Sequence, residues 1–381
     1  MRAALCLLVT LGALACEGDA KREPTADEAR PTPTPESPQG EEPDAPPPLV
    51  SRNRSLMGTV FVIQAEGPEE VAEPAIARAF DEIARLEALL SEWRDTSEVS
   101  AINAAAGERP VPVGDDVYRV VEAGVNVSRW SEGAFDLSWA ALFGAYDFRP
   151  GRQRLPELAA LRPKLGLIDY RFIELDPEAR TVFLRKPGMA IGTGGIAKGY
   201  ALDRAGAILR DAGIAHYMLF GGGQVQVHGS RGGRPWRVGI QHPRRAQDYF
   251  AYFEADAGSI STSGDYEHFL IDDEGRRWHH ILDTDTGLPA RESVSVTLLA
   301  PSGLYADARS TAAFVLGPER ALAMLARLAR EGPPGARGAE VALLDAGCRL
   351  HATPGTEDRL RYRIPLGPER VLPGCEASDR P

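Results

Sequence analysis

The chain has 381 residues, of which 43% are hydrophobic and 25% charged. That composition supports one large or two ordinary folded domains and excludes a wholly disordered chain. The formal net charge of −11 argues against a nucleic-acid partner, because proteins that bind phosphate backbones carry an excess of Lys and Arg.

Residues 1–15 are predicted to be an export signal peptide. Arg2 precedes an apolar run over residues 3–15, which is typical of a secretory signal and too short to span a bilayer core of about 30 Å. Small residues before Cys16 resemble a bacterial lipoprotein cleavage box, so Cys16 is the predicted lipidation site. The folded domain is therefore expected at the bacterial cell envelope, anchored to the membrane by lipid, in the periplasm or outside the cell membrane. Ordinary secretion without lipidation is the alternative.

Residues 16–50 are predicted to be a disordered, Pro-rich linker. The stretch from Glu17 to Leu49 contains nine prolines and almost no large apolar residue, so it cannot bury a core and should act as an extended tether. We predict a folded domain over residues 51–375 and a C-terminal tail over 376–381.

Cys348 and Cys375 are the two cysteines expected to remain in the folded domain of the exported protein. Disulfides persist in exported proteins, so a disulfide between the two is plausible. Two unrelated thiols are the alternative.

The folded domain is predicted to mix helices and strands, from apolar residues at helical spacing and from runs of β-branched and aromatic residues. In chain order we predict a strand over residues 56–64, helices over 69–93 and 115–131, strands over 181–184 and 189–191, and a helix over 196–211. Further on we predict strands over 216–221, 224–228, 236–240 and 293–300, helices over 305–316 and 318–330, and a closing hairpin over 340–345 and 349–353. Helices and strands do not alternate regularly, so the fold class is predicted as α+β rather than a doubly wound sheet.

A glycine-rich turn, GTGGIAKG at residues 192–199, joins a predicted strand to a predicted helix. Small residues there let backbone N–H groups approach an anion, and the helix N-terminus adds a favourable dipole. The spacing is not that of a P-loop or a dinucleotide fingerprint. An anion-binding turn and a merely tight turn both stay open.

Asp307 and Thr311 are four residues apart in a predicted helix. That spacing places a carboxylate and a hydroxyl on one helix face, as two oxygen ligands for a hard cation such as Mg²⁺. A helix cap is the alternative role for Asp307. Residues 279–287 concentrate histidines and aspartates, yet no spaced set of His and Cys indicates zinc.

Eight blocks of the chain form a larger pattern when they are taken in order. They are MGT at 57–59, LSEW at 90–93 with SEVS at 97–100 and Asn103, GAFD at 133–136, GGIAKGY at 194–200, FGG at 220–222, TSGDY at 262–266, HILDTDTG at 280–287 and ADARST at 306–311. Together they closely resemble the FAD:protein FMN transferases, the ApbE family, over roughly residues 55–345.

The resemblance implies an α+β, T-fold-like arrangement of mixed sheets flanked by helices. It also implies an enzyme that cleaves FAD with Mg²⁺, attaches FMN to a Ser or Thr of an acceptor protein of the membrane or periplasm, and releases AMP. Asp307, Thr311 and a backbone carbonyl near Gly195 would bind the metal. The positions expected to bind flavin are Met57, Trp93, Ala134, Phe135, Asp136, Lys198 and Ile281.

The acceptor hydroxyl in such a transfer needs a base. His280 is the first choice, because an imidazole titrates near neutral pH, and Asp283 is the second. Trp93 would offer a flat face to the flavin, and the alternative is that it forms the core-facing end of the first helix.

Three positions depart from the family pattern. Gly192 stands where many members have Asp, and Ser310 stands where some members have a further acid. Thr284 replaces the proline that usually follows Asp283, which affects a turn more than the chemistry. The first two departures reduce the negative charge expected near the metal.

Other functions stay open from the sequence. An FAD pyrophosphatase would use water in place of the acceptor hydroxyl and yield FMN and AMP. A non-catalytic flavin-binding lipoprotein would bind FAD without cleaving it. An anchored envelope protein without a ligand would leave every block unexplained.

Overall fold

An antiparallel sheet of eight strands lies at the centre of the folded part of the chain. The structure is a computed structural model that describes residues 48–148 and 154–375. The predicted signal peptide, the predicted lipidation site Cys16, most of the predicted linker and the predicted C-terminal tail lie outside the described residues.

The elements are mixed along the chain, which confirms the predicted α+β class. The strands are β1 (Leu49–Leu56), β2 (Thr59–Glu66), β3 (Val111–Pro112), β4 (Ile173–Asp176), β5 (Thr181–Leu184), β6 (Tyr217–Gly221), β7 (Gln224–His228), β8 (Ser230–Arg231), β9 (Arg234–His242), β10 (Arg245–Ala255), β11 (Ala257–Gly264), β12 (Phe269–Ile271), β13 (Arg277–His279), β14 (Ser293–Ala300), β15 (Glu340–Asp345), β16 (Leu350–Ala352) and β17 (Leu360–Tyr362). The helices are α1 (Glu69–Leu90), α2 (Glu98–Ala104), α3 (Asp115–Trp130), α4 (Leu158–Leu165), α5 (Ala197–Asp211), α6 (Gly303–Glu331) and α7 (Pro354–Arg359).

The main sheet has the strand order β1-β2-β6-β7-β11-β14-β15-β16, and a smaller sheet has the order β17-β10-β9-β8. Neighbouring residues of the main sheet enter two different hydrophobic cores, because successive side chains of a strand point to opposite faces. In β15, Val341 and Leu343 join a core with residues of α1, α3, α5 and α6, whereas Ala342 and Leu344 join a core with residues of β9, β10 and β17. The main sheet is therefore a middle layer between helices and the smaller sheet.

Several predicted elements are confirmed at both ends, namely the strands over 181–184, 224–228, 293–300 and 340–345. The two helices predicted over 305–316 and 318–330 form the single element α6. Gly317 separates the two segments with a non-helical φ of 72°. The last predicted hairpin is also present, because β15 pairs with β16.

The strand predicted over 56–64 is confirmed from Thr59 onward, as part of β2, but the chain turns at its first residues. Met57 and Gly58 have φ values of 47° and 73°, and they turn β1 back to pair with β2. Leu49 and Val50 already belong to β1, so the folded part begins before residue 51.

The first helix and one predicted strand also differ from prediction. The helix ends at Leu90 rather than at residue 93, because Ser91 has an extended backbone with ψ 121°. Residues 189–191 are not a strand. The side-chain amide of Asn103 donates to the carbonyl of Ile191 at 3.0 Å and accepts from its N–H at 2.8 Å, which occupies the groups that a strand partner would use.

Cys348 and Cys375 form a disulfide with a Cα–Cα distance of 5.9 Å, which confirms their pairing. Both cysteines are buried in the core beneath the smaller sheet. Within residues 48–148 and 154–375, every helix is too short or too polar to cross a membrane.

Candidate active site

Hydrogen bonds to two other segments of the chain hold the glycine-rich turn in place just before α5. The N–H of Gly192 donates to the carbonyl of Leu137 at 2.9 Å, and the hydroxyl of Thr193 donates to the carbonyl of Leu90 at 2.7 Å. The N-cap residue of α5, Ile196, makes no side-chain cap hydrogen bond. The turn therefore holds a fixed shape at a helix N-terminus, whose dipole favours an anion.

Asp307 lies in the first turns of α6 and is only 3% exposed. One carboxylate oxygen accepts from the N–H of Gly199 and the other from the side-chain amide of Gln224, both at 3.0 Å. Burial raises the pKa of Asp307, and the charge of Lys198 opposes that rise. Asp307 is not the N-cap of α6, because Ser302 occupies that position, but its carboxylate does accept from an N–H in the first turn of α5.

Thr311 brings α6 to the glycine-rich turn. Its hydroxyl lies 3.7 Å from the place where a Cβ on Gly195 would be, and the ring of Phe135 lies 3.2 Å from the same place. The structure thus brings together Gly195, Thr311 and Phe135, three of the residues selected from the sequence, beside Asp307.

Ser310 is fully buried in a cluster of hydroxyl groups behind Thr311. Its hydroxyl contacts those of Ser261 and Ser263 at 2.7 and 2.9 Å and donates to the carbonyl of Asp307 at 2.9 Å. Ser310 therefore supports the backbone that carries Asp307 and brings no charge.

Lys198 is the common electrostatic neighbour of three titratable groups. Its ammonium group donates to the carbonyl of Gly194. Burial raises the pKa of Asp307 and of Glu92, and the charge of Lys198 opposes that rise. Burial lowers the pKa of His280, and the charge of Lys198 lowers it further. These four side chains therefore lie around one position at the start of α5.

Glu92 is a candidate site residue that the sequence analysis missed. Its carboxylate accepts from the hydroxyl of Thr193 at 3.3 Å, and its other oxygen lies 3.5 Å from the place where a Cβ on Gly194 would be. Burial raises its pKa. The only sequence signal was its position in the block that contains Trp93.

Trp93 is 73% exposed, so the prediction that it could be the core-facing end of the first helix is wrong. Its ring centroid lies 4.7 Å from that of Phe143, which lies 5.0 Å from that of Trp139. A Cβ on Gly192 would lie 3.1 Å from the ring of Trp139. The indole of Trp139 therefore occupies the space that an acidic side chain at position 192 would need.

His280 has an imidazole that is neutral at neutral pH. Burial lowers its pKa to about 3, and the charges of His268, His279 and Lys198 act in the same direction. In the part of the chain that the structure describes, its Nδ1 atom is buried and has no hydrogen-bond partner. The structure thus places a neutral imidazole close enough to Lys198 to be influenced by its charge.

Asp283, the second choice as base, is engaged in a turn. One carboxylate oxygen accepts from the N–H groups of Asp285 and Thr286 at 2.8 and 3.3 Å. The hydroxyl of Thr284 donates to the carbonyl of Gly133 at 2.7 Å, which ties this turn to the GAFD segment. Both residues therefore shape the backbone near His280.

The carboxylate of Asp136 is buried and accepts three hydrogen bonds from the protein. It accepts from the N–H and the hydroxyl of Ser138 at 2.8 and 2.6 Å, and from the N–H of Tyr170 at 2.7 Å. Burial raises its pKa. Asp136 thus fixes the loop that carries Ala134 and Phe135.

The remaining predicted flavin residues, Ile281 and Met57, lie in or beside the core on the helix side of the main sheet. Ile281 is a buried member of the helix-side core, and Met57 packs against the edge of that core. Thr59, two residues after Met57, lies near Lys198, because a Cβ on Gly222 would meet both side chains at 3.0–3.1 Å.

Among residues 48–148 and 154–375, no three His, Cys, Asp or Glu side chains are grouped to hold a metal ion. A cation at Asp307 would therefore be bound by one carboxylate with hydroxyl and carbonyl oxygens. Mg²⁺ accepts such a set, because it is usually bound by one or two carboxylates together with substrate phosphates.

The sequence model described as the ApbE family matches residues 57–332. An FAD:protein FMN transferase of Klebsiella pneumoniae (strain 342) is 33% identical over 279 residues, which cover 73% of this chain and 85% of the relative. An FAD:protein FMN transferase of Treponema pallidum (strain Nichols) is 32% identical over 329 residues, which cover 82% of this chain and 88% of the relative.

Solved structures agree with these sequence relatives. The ApbE protein of Thermotoga maritima superposes with a TM-score of 0.74 at 28% identity, covering 83% of this chain and all of that one. The flavinyl transferase ApbE of Pseudomonas stutzeri, in its apo form, superposes with a TM-score of 0.70 at 28% identity, covering 84% of this chain and 98% of that one.

Proposed function

Because the chain belongs to the ApbE family, we propose that it is an FAD:protein FMN transferase that attaches FMN to a Ser or Thr hydroxyl of an acceptor protein and releases AMP. The observation that carries the proposal is the buried carboxylate of Asp307 beside Thr311, Gly195 and Lys198. A group of this kind suits a cation and a pyrophosphate better than it suits a purely structural role.

The proposed metal is Mg²⁺, bound by Asp307, Thr311 and a backbone carbonyl near Gly195. A buried carboxylate without a cationic partner is costly, and the structure gives Asp307 only neutral hydrogen-bond donors. A cation beside it would therefore favour the ionised form. When bound, Mg²⁺ would neutralise charge on the pyrophosphate oxygens and on the departing phosphate.

The chain itself supplies further groups for the pyrophosphate. Lys198 adds a positive charge, and the N-terminus of α5 adds a helix dipole that favours phosphate oxygens. On the flavin side, Trp93 presents an exposed ring suited to stacking. The other residues that we propose to contact the flavin are Met57, Ala134, Phe135, Asp136 and Ile281.

The reaction exchanges one phosphorus–oxygen bond for another. The acceptor oxygen bonds to the FMN phosphorus, the bond from that phosphorus to the oxygen bridging to AMP breaks, and AMP leaves with that oxygen. One proton must leave the acceptor hydroxyl. His280 is the proposed base and Asp283 the second candidate, and burial keeps the imidazole of His280 in its neutral form.

The test is an incubation of the full chain with FAD and Mg²⁺, with and without candidate acceptor peptides that contain Ser or Thr. Transfer predicts AMP together with a peptide mass increased by FMN less one water. AMP and free FMN that form equally without acceptor would favour the pyrophosphatase. Bound FAD with no AMP under excess Mg²⁺ would favour the non-catalytic flavin-binding protein.

We also propose that the protein acts at the bacterial cell envelope, anchored through a lipid on Cys16, on an acceptor of the membrane or periplasm. The export signal predicted over residues 1–15 supports this location. The disulfide between Cys348 and Cys375 also supports it, since disulfides persist in oxidising compartments.

A further inference from the structure

His268 lies against the proposed base and is open to solvent. The ring centroids of His268 and His280 are 5.2 Å apart, and the rings meet edge to face. The N–H of His280 also donates to the carbonyl of His268 at 3.1 Å. The backbone therefore holds the two imidazoles together, while His268 itself is exposed.

The surroundings of His280 disfavour its protonated form. A proton that the imidazole accepts during the reaction must therefore move on to another group. Burial disfavours the imidazolium first, and the nearby charges of His268, His279 and Lys198 disfavour it further. A base in this setting takes a proton only briefly. Each turnover therefore needs a route that returns His280 to its neutral form.

The other groups that face His280 are poorly suited to carry the proton away. His279 is 3% exposed, and its two ring nitrogens are engaged with the carbonyl of Ala290 at 2.9 Å and the N–H of Ile281 at 3.3 Å. Lys198 already carries a positive charge and donates to the carbonyl of Gly194. His268 is the neighbouring imidazole that is open to water.

We propose that His268 is a proton-relay residue, which passes the proton of the acceptor hydroxyl from His280 to solvent. This inference rests on the proposed transfer reaction, and His268 is a positioning residue because it acts through His280. The proton moves from the acceptor oxygen to His280, then to His268 directly or through one bridging water, and then to bulk water. The balance is one acceptor hydroxyl and one FAD consumed, and one FMN ester, one AMP and one proton released.

The test compares His268→Gln with Glu267→Gln, a control on the neighbouring exposed residue of the same segment. We expect His268→Gln to lower kcat about tenfold or more while KM for FAD changes little. Imidazole added to the buffer should restore much of the lost rate, because a free imidazole can take the proton from His280. Glu267→Gln should keep the parental rate and show no response to imidazole. Parental kcat in His268→Gln, or a loss that imidazole does not restore, would overturn the relay.

A second measurement separates the relay from the transfer reaction itself. NMR titration of the histidine rings should show that His268→Gln raises the pKa of His280, because the charge of His268 lowers that pKa in the parent. An unchanged pKa of His280 would overturn the coupling on which the relay depends. A parent that forms no AMP from FAD would contradict the proposed function, and the titration would still decide whether the two rings are coupled.

Discussion

Lys198 sets the electrostatic character of the candidate site. A single ammonium group influences three groups of different chemistry, namely Asp307, Glu92 and His280. It favours the charged form of the two carboxylates and the neutral form of the imidazole. The same residue therefore favours an ionised Asp307, the proposed metal ligand, and a neutral His280, the proposed base.

Replacing Asp307 by Ala or Asn should abolish AMP release from FAD. Both changes remove the carboxylate charge proposed to hold Mg²⁺, and Asn keeps the size of the side chain. A loss of about 4 kcal/mol of transition-state stabilisation corresponds to about a thousandfold in rate. AMP should be measured against Mg²⁺ concentration, with Asp211→Asn at the exposed end of α5 as control. Near-parental rates in the Asp307 variants would place the metal elsewhere.

His280 should make the protein less stable in mild acid. Its folded-state pKa is lowered from 6.5 to about 3, so between those values the unfolded chain binds a proton that the folded chain does not. The free energy of unfolding therefore falls as the pH falls below about 6.5. In His280→Gln, the loss of stability between pH 7 and pH 5, measured by urea unfolding, should be smaller than in the parent. Equal losses in the two proteins would contradict the lowered pKa.

Single residues of the site were predictable where they belong to a recognisable block, and not where only the fold brings them close. Asp307 and Thr311 were found from their spacing, and Gly195 from its motif. Glu92 was missed because its neighbour Thr193 is 101 positions away in sequence. His268 was missed because nothing in its own segment indicates a contact with His280.

At the scale of elements, the crossing of α5 and α6 fixes the distance between the glycine-rich turn and Asp307. Gly199 packs directly on the backbone of Gly303, and a Cβ there would collide with the carbonyl oxygen of Gly303. The glycine is needed here for close approach of two helices, and its N–H is also a donor to Asp307.

Gly199→Ala should separate α5 from α6 and damage both stability and activity. A side chain forced into a packed backbone contact typically costs about 1–3 kcal/mol. Gly239→Ala is a suitable control, because its Cβ would meet Tyr249 at an ordinary 3.6 Å. Thermal unfolding and AMP release should both fall in the first variant and stay near parental values in the second. A Gly199→Ala protein with parental stability would show that the two helices can move apart freely.

Elements with many apolar residues in a regular pattern were predicted well, and elements that depend on tertiary contacts were not. The strand β14 is buried along its whole length and was found from its apolar residues alone. The edge strand β1 is mostly exposed, so it has few apolar residues by which to recognise it. The turn at Met57 was missed because apolar residues lie on both sides of it. The strand predicted over 189–191 has strand composition, but the distant side chain of Asn103 takes its backbone groups.

At the scale of the whole molecule, the disulfide ties the end of the described chain to the turn before β16. The two cysteines are 27 positions apart, and closing a loop of that size stabilises the fold by about 3–4 kcal/mol on the chain-entropy model. Reduction should lower the free energy of unfolding of the parent, measured by urea unfolding, by a similar amount. A Cys348→Ser, Cys375→Ser double variant should be less stable than the parent and insensitive to reductant. Two alkylatable thiols in the unreduced envelope-derived protein would contradict the pairing.

Cys16→Ala should release the protein from the membrane while FAD cleavage in vitro stays unchanged. The proposed lipid is attached to this cysteine, whereas every group of the candidate site lies between Met57 and Thr311. Membrane and soluble fractions of expressing cells should be compared for the parent and the variant. An unchanged membrane fraction for Cys16→Ala would contradict the anchor, and a lost cleavage activity would contradict the separation of anchor and site.

The site is assembled from segments that the ribosome delivers far apart in time. Glu92 and Phe135 are made early, the glycine-rich turn follows, and Asp307 and Thr311 come only with α6. A chain still being synthesised or exported therefore lacks the Asp307 carboxylate at the glycine-rich turn until α6 has emerged. On the proposed chemistry, a chain truncated before α6 cannot split FAD, so FAD cleavage waits until most of the domain has been made.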